Sequence, residues 1–135
     1  MATQADVRRI ALSLPGAVEV PGRFAFAVPH KEKLKGFVWV WMERVDPKKP
    51  RVAQPKVVAI RVANLLDKDF LINRDPEKFF TEPHYDGFPA ILVRLAAITA
   101  RELRPLLTEA WQTQAPKDVA TAKKSTRKSA KKKAS

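Results

Sequence analysis

Apolar positions along this chain recur with two periods. Val7, Ile10, Ala11 and Leu14 repeat at helical spacing, as do Leu103, Leu106, Leu107, Ala110 and Trp111, and each set predicts an amphipathic helix. Phe24, Phe26 and Val28 alternate with Ala25 and Ala27, and Val58, Ile60 and Val62 alternate within 56–62. That is strand spacing. Between them lies Gly36-Phe37-Val38-Trp39-Val40-Trp41-Met42, apolar at every position. Strand geometry puts Phe37, Trp39 and Trp41 on one face and Val38, Val40 and Met42 on the other, so this strand is expected inside a sheet with cover on at least part of each side.

Polar residues punctuate the pattern. Thr3 with Asp6 and Thr99 with Glu102 have capping-box spacing at the two terminal helices. Pro15-Gly16 ends the first. Residues 17–20 are expected as a short strand before the Pro21-Gly22 turn. Asn64 caps a middle helix whose buried stripe is expected to be Leu66, Phe70 and Leu71. Asp75-Pro76 predicts a further helical turn leading to Phe79 and Phe80, and residues 90–95 a last strand. Helix, three or four strands, helix, strand, helix is an α+β order: an antiparallel sheet with the N- and C-terminal helices packed mainly on one face. The domain is expected over residues 1–116. Residues 117–135, Lys/Ala/Ser-rich with no aromatic, hold too little apolar surface to offset ordering, so a disordered basic tail is expected.

Charge changes the picture. The formal net charge is +12, of which residues 117–135 hold +7 and residues 1–116 hold +5. Such asymmetry points to a polyanion. Lys123, Lys124, Arg127, Lys128, Lys131, Lys132 and Lys133 of the tail are candidate phosphate contacts. So are Lys31, Lys33 and Lys35 in one connection, and Arg44, Lys48, Lys49 and Arg51 in another. No apolar run reaches the ~20 residues of a membrane helix, and Asp6, Arg8 and Arg9 interrupt any secretion signal. A cytoplasmic protein is expected, nucleoid-associated on the DNA reading, without a membrane partner. The chain has no cysteine, which excludes disulfides and thiolate chemistry.

Val7-Arg8-Arg9-Ile10-Ala11-Leu12-Ser13-Leu14-Pro15-Gly16 with Glu19, the stretch from Pro83-His84-Tyr85-Asp86-Gly87-Phe88-Pro89 to Leu95, and Glu109-Ala110-Trp111 with Ala115-Pro116-Lys117 together resemble the MmcQ/YjbR family of small bacterial proteins. The resemblance covers residues 5–117. It implies a CyaY-like α+β fold and DNA binding through a double-wing arrangement of strands and loops. The wings would be 29–35 and 45–55. The lysine-rich tail lies beyond the family pattern.

No enzyme is expected. His84, Tyr85 and Asp86 are consecutive on a turn-rich loop and do not converge by adjacency. His30 and His84 are far apart, so neither a metal site nor another cofactor is expected. The four glycines, at 16, 22, 36 and 87, form no phosphate loop. The function expected is phosphate-backbone DNA binding with little sequence preference, with RNA an alternative of the same charge. The competing expectation is a non-enzymatic module for a small ligand or a protein on an aromatic sheet face, with Trp39, Trp41, His84 and Tyr85 as its pocket.

Overall fold

The computed structural model describes residues 1–43 and 46–116. Arg44 and the whole tail, with Lys123, Lys124, Arg127, Lys128, Lys131, Lys132 and Lys133, lie outside the described residues.

The order is α1 (Gln4–Leu12), β1 (Val18–Glu19), β2 (Ala25–His30), β3 (Lys33–Glu43), β4 (Val52–Arg61), α2 (Leu65–Arg74), β5 (Phe79–Phe80), β6 (Ala90–Arg94) and α3 (Ala100–Gln114). The strands form one six-stranded sheet in the order β1-β2-β3-β4-β6-β5, antiparallel at every pairing. Both capping boxes form: Thr3 and Thr99 accept from the backbone N–H of Asp6 and Glu102, whose carboxylates return to the cap N–H. Helices α1 and α3 share one face of the sheet. Their stripes meet Phe26, Phe37, Val38, Val58, Ile60, Ile91 and Val93 in the main core. Trp111, fully buried, donates its indole N–H to Pro15 O at 2.8 Å, tying α3 to the end of the first helical segment.

Four details depart from the sequence pattern. Phe37 lies in the helix-side core with Val38, away from the tryptophans. Phe26 pairs with Val38 and Ala27 with Gly36, so Phe37 is the extra residue of a β-bulge that shifts the alternation by one. A second irregularity follows where Val40 pairs with Val58 but Trp41 pairs with Gln54. Pro55, which cannot donate to the ladder, sits in that gap.

Helix α2 is turned against its pattern. Leu66 and Phe70 are 78% and 60% exposed, while Lys68 is the residue it buries, at 4%. Only Leu71 and Ile72 lean on the main core. Finally, Phe79 and Phe80 belong to an edge strand paired with β6 and not to a helical turn; Asp75 O accepts from the N–H of Lys78 and Phe79, making a single turn before it.

Candidate functional site

The face of the sheet opposite α1 and α3 carries Trp39 and Trp41 over Ala59, Ala90 and Leu92. The loop from Glu82 to Pro89 folds onto it. Pro83–Tyr85 forms one 3-10 turn, capped by the Glu82 carboxylate on the His84 N–H. Tyr85 is buried beneath it, and its hydroxyl accepts from Trp39 Nε1 at 3.0 Å. Behind the loop, Lys68 donates to Tyr85 O at 2.5 Å and Phe88 O at 2.9 Å. Burial pushes the Lys68 ammonium below its ordinary pKa, while Asp86 and Asp69 pull it back up. Lys68 is therefore a staple between α2 and the loop, with its ammonium committed to two carbonyls.

Of the four residues expected to form an aromatic pocket, Trp39 and Tyr85 meet. Trp41 packs edge-on against Phe80 at 5.5 Å, and its buried indole N–H has no acceptor. His84 is exposed and meets Tyr85 edge-on, ring centroids 5.5 Å apart. The actual concavity lies on the other side of Trp39, lined by Arg23, Ala27, Lys35, Gly36, Arg61 and Phe88 among others. Arg23, Arg61 and Phe88 were not legible as a site because they come from separate elements. The pair of alanines on β2 was the available signal: small residues facing a tryptophan leave space.

The basic connections separate. Residues 29–35 are not a loop. Strands β2 and β3 run to the pair His30–Lys33, joined by Lys31-Glu32 alone, and Lys31 takes the left-handed conformation, φ 62°, that such a tight reversal requires. The second connection follows Glu43 and precedes Val52. There Asp46 turns the chain by accepting from Lys48 N, and Arg51 donates to Met42 O. The two tips thus cap opposite ends of β3, roughly 30 Å apart at about 3.3 Å per residue. They do not make one compact patch.

Lys31, Lys33 and Lys35 are exposed and, among the described residues, have no carboxylate partner. In contrast, Arg8 holds Glu19 at 2.8 Å, Arg9 holds Asp6 at 2.9 Å, and Lys78 bridges Asp75 and Glu102 at 3.2 and 2.6 Å. These pairs push the Glu19, Asp6 and Glu102 carboxyls below their ordinary pKa, chiefly through the hydrogen bonds from Arg8, Arg9 and Lys78. At the same end as Lys31, His30 Nδ1 lies 3.3 Å from Gln114 O. The last turn of α3 therefore ends beside the β2–β3 hairpin.

Among the described residues no group of three His, Cys, Asp or Glu could hold a metal ion, and no helix is long and apolar enough to cross a membrane.

No family model matches the chain. The fold is similar to that of DR2400 from Deinococcus radiodurans, a DUF419 domain, with TM-score 0.60 and 19% identity over 83% of this chain and 78% of that one. In sequence the chain is 39% identical over 131 residues to the uncharacterized proteins Rv2570 of Mycobacterium tuberculosis and Mb2600 of Mycobacterium bovis. The match spans 90% of this chain and 95% of each relative. At that identity and coverage, this protein belongs to the family of those mycobacterial proteins.

Proposed function

We propose that the protein binds nucleic acid through its phosphates, with DNA the expected partner and little preference for sequence. One observation carries this reading. Three exposed lysines without carboxylate partners among the described residues, Lys31, Lys33 and Lys35, stand where the end of α3 leads into a segment of charge +7. Cations collected at one end of a domain bind a polyanion by displacing its counterions, and such contacts position without reading bases. The resemblance to the MmcQ/YjbR family, to which DUF419 is related, adds the same expectation. Lys48, Lys49 and Arg51 are then a separate contact at the far end of β3. The reading is non-catalytic, and a cytoplasmic, nucleoid-associated location follows from it.

The test is a mobility shift on unrelated duplexes across a salt series. Full-length protein is expected to bind at low salt and to weaken steeply as salt rises. Removing residues 117–135, or replacing Lys31, Lys33 and Lys35 by serine, is expected to lower affinity and to flatten the salt slope by about 0.9 for each phosphate no longer neutralised. Equal binding by the truncated and whole chains would remove the tail from the interface. Absence of binding to duplex and single strand alike would end the reading.

A further inference from the structure

The concavity beside Trp39 has a lining that, Lys35 apart, phosphate binding at the hairpin leaves unused. It measures about 560 Å³ and is open to solvent, within the roughly 300–1,000 Å³ of small-molecule sites. Ala25, Ala27 and Gly36 give it a side with almost no side chain. A Cβ placed on Gly36 would already touch Trp39 Cε3 at 3.6 Å, so the indole lies close over bare backbone. Phe88 stands across from Trp39, ring centroids 6.5 Å apart.

Its charge is one-sided. Arg23, Lys35 and Arg61 line it, no carboxylate does, and none of the three has an ion-pair partner among the described residues. Arg61 is the informative one. Its guanidinium sits 4.9 Å from the Phe88 centroid, and its Nε is buried without an acceptor. Burial alone pushes its pKa down. A half-buried guanidinium without a carboxylate partner is costly, and an anion beside it would offset that cost. The aromatic walls are also fixed in advance. Lys68 grips the Phe88 carbonyl, and Tyr85 the Trp39 indole.

We infer that this concavity binds a nucleotide: a flat ring against Trp39, above the alanine–glycine side, with its phosphate among Arg23, Lys35 and Arg61. Three cations around one opening suit a phosphate group, with its several oxygens and higher charge, better than a single carboxylate, which one arginine satisfies. The nucleotide has two possible sources, a free mononucleotide or an unstacked residue of a single strand. Neither duplex binding nor the tail is needed for this site, whose lining alone supplies the ring platform and the cations.

The experiment is a tryptophan-fluorescence titration of the full chain with 5′-AMP, with adenosine, and with a short single strand of deoxyadenosine. Saturable quenching by AMP that disappears in Trp39→Phe is expected, since Trp41 and Trp111 do not line the cavity. Arg61→Met is expected to weaken AMP about tenfold or more, the loss of one charge-assisted hydrogen bond, and to leave adenosine unchanged. Arg23→Met, at an exposed position, is expected to act in the same direction without risk to the fold. Quenching by AMP alone identifies a free nucleotide as the source, and quenching by the strand alone identifies single-stranded nucleic acid. If neither quenches Trp39, or if both arginine variants bind AMP as the unaltered chain does, the inference is overturned. Duplex shift without this quenching would leave the proposed function standing and remove only the site; AMP quenching with no binding to duplex or single strand would do the reverse.

Discussion

Helices α3 and α2 carry comparable runs of apolar residues and use them in opposite ways. In α3, Leu103, Leu107, Ala110 and Trp111 are all fully buried, as their spacing requires. In α2, Leu66 and Phe70 face solvent and the charged Lys68 is buried. The difference lies in what each helix packs against. Helix α3 lies across the sheet, where an apolar stripe is the favoured inward face. Helix α2 lies beside the loop 82–89, whose carbonyls at Tyr85 and Phe88 need donors that leucine cannot provide. A helix takes its inward face from its neighbour's chemistry as well as from its own pattern.

That contrast can be broken by substitution. The largest effect is expected at α3: Trp111→Ala removes a fully buried indole and its bond to Pro15 O, and should cost about 3–5 kcal/mol in denaturant unfolding. Lys68→Met comes next. It keeps much of the volume but strips two carbonyls of their donor, which should cost about 1–3 kcal/mol and speed amide exchange in residues 85–88. A loss below the noise of the measurement would show that Lys68 is not the staple described.

Proton linkage sharpens the same point. Desolvation lowers the folded-state pKa of Lys68 below 10.5, against the pull of Asp86 and Asp69. The unfolded chain therefore binds more protons in the window between that lowered value and 10.5, so stability contributed at this site rises with pH there. Relative to Lys68→Met, the unaltered protein should gain stability as pH rises through this window and show no differential change well below it. A difference that falls with rising pH would reverse the assignment. The smallest effect is expected at Leu66→Ser and Phe70→Ser, each within about 0.5 kcal/mol, since both side chains are largely in water.

What the sequence made legible was mostly local. Thr3 with Asp6 and Thr99 with Glu102 marked helix starts that the structure keeps, because a capping box is completed within four residues. Of the two small residues of β2, Ala25 pairs with Trp39 and Ala27 with Gly36. Non-local features were out of reach. The bulge that moves Phe37 to the other face depends on how β2 pairs, and its local mark in β3 is Gly36 beside the extra residue. The two basic connections looked alike as charge, yet an antiparallel meander puts successive turns at opposite ends of the shared strand. Arg23, Arg61 and Phe88 came together only through the fold.

The two outermost strands of the sheet, Val18–Glu19 and Phe79–Phe80, are each two residues long. Free backbone donors and acceptors at a sheet border are where identical chains zip together, and borders this short offer little to copy. Strand addition onto these two outermost strands therefore has little backbone to copy. Elsewhere on the described domain, Leu66 and Phe70 of α2 leave a bare apolar ridge.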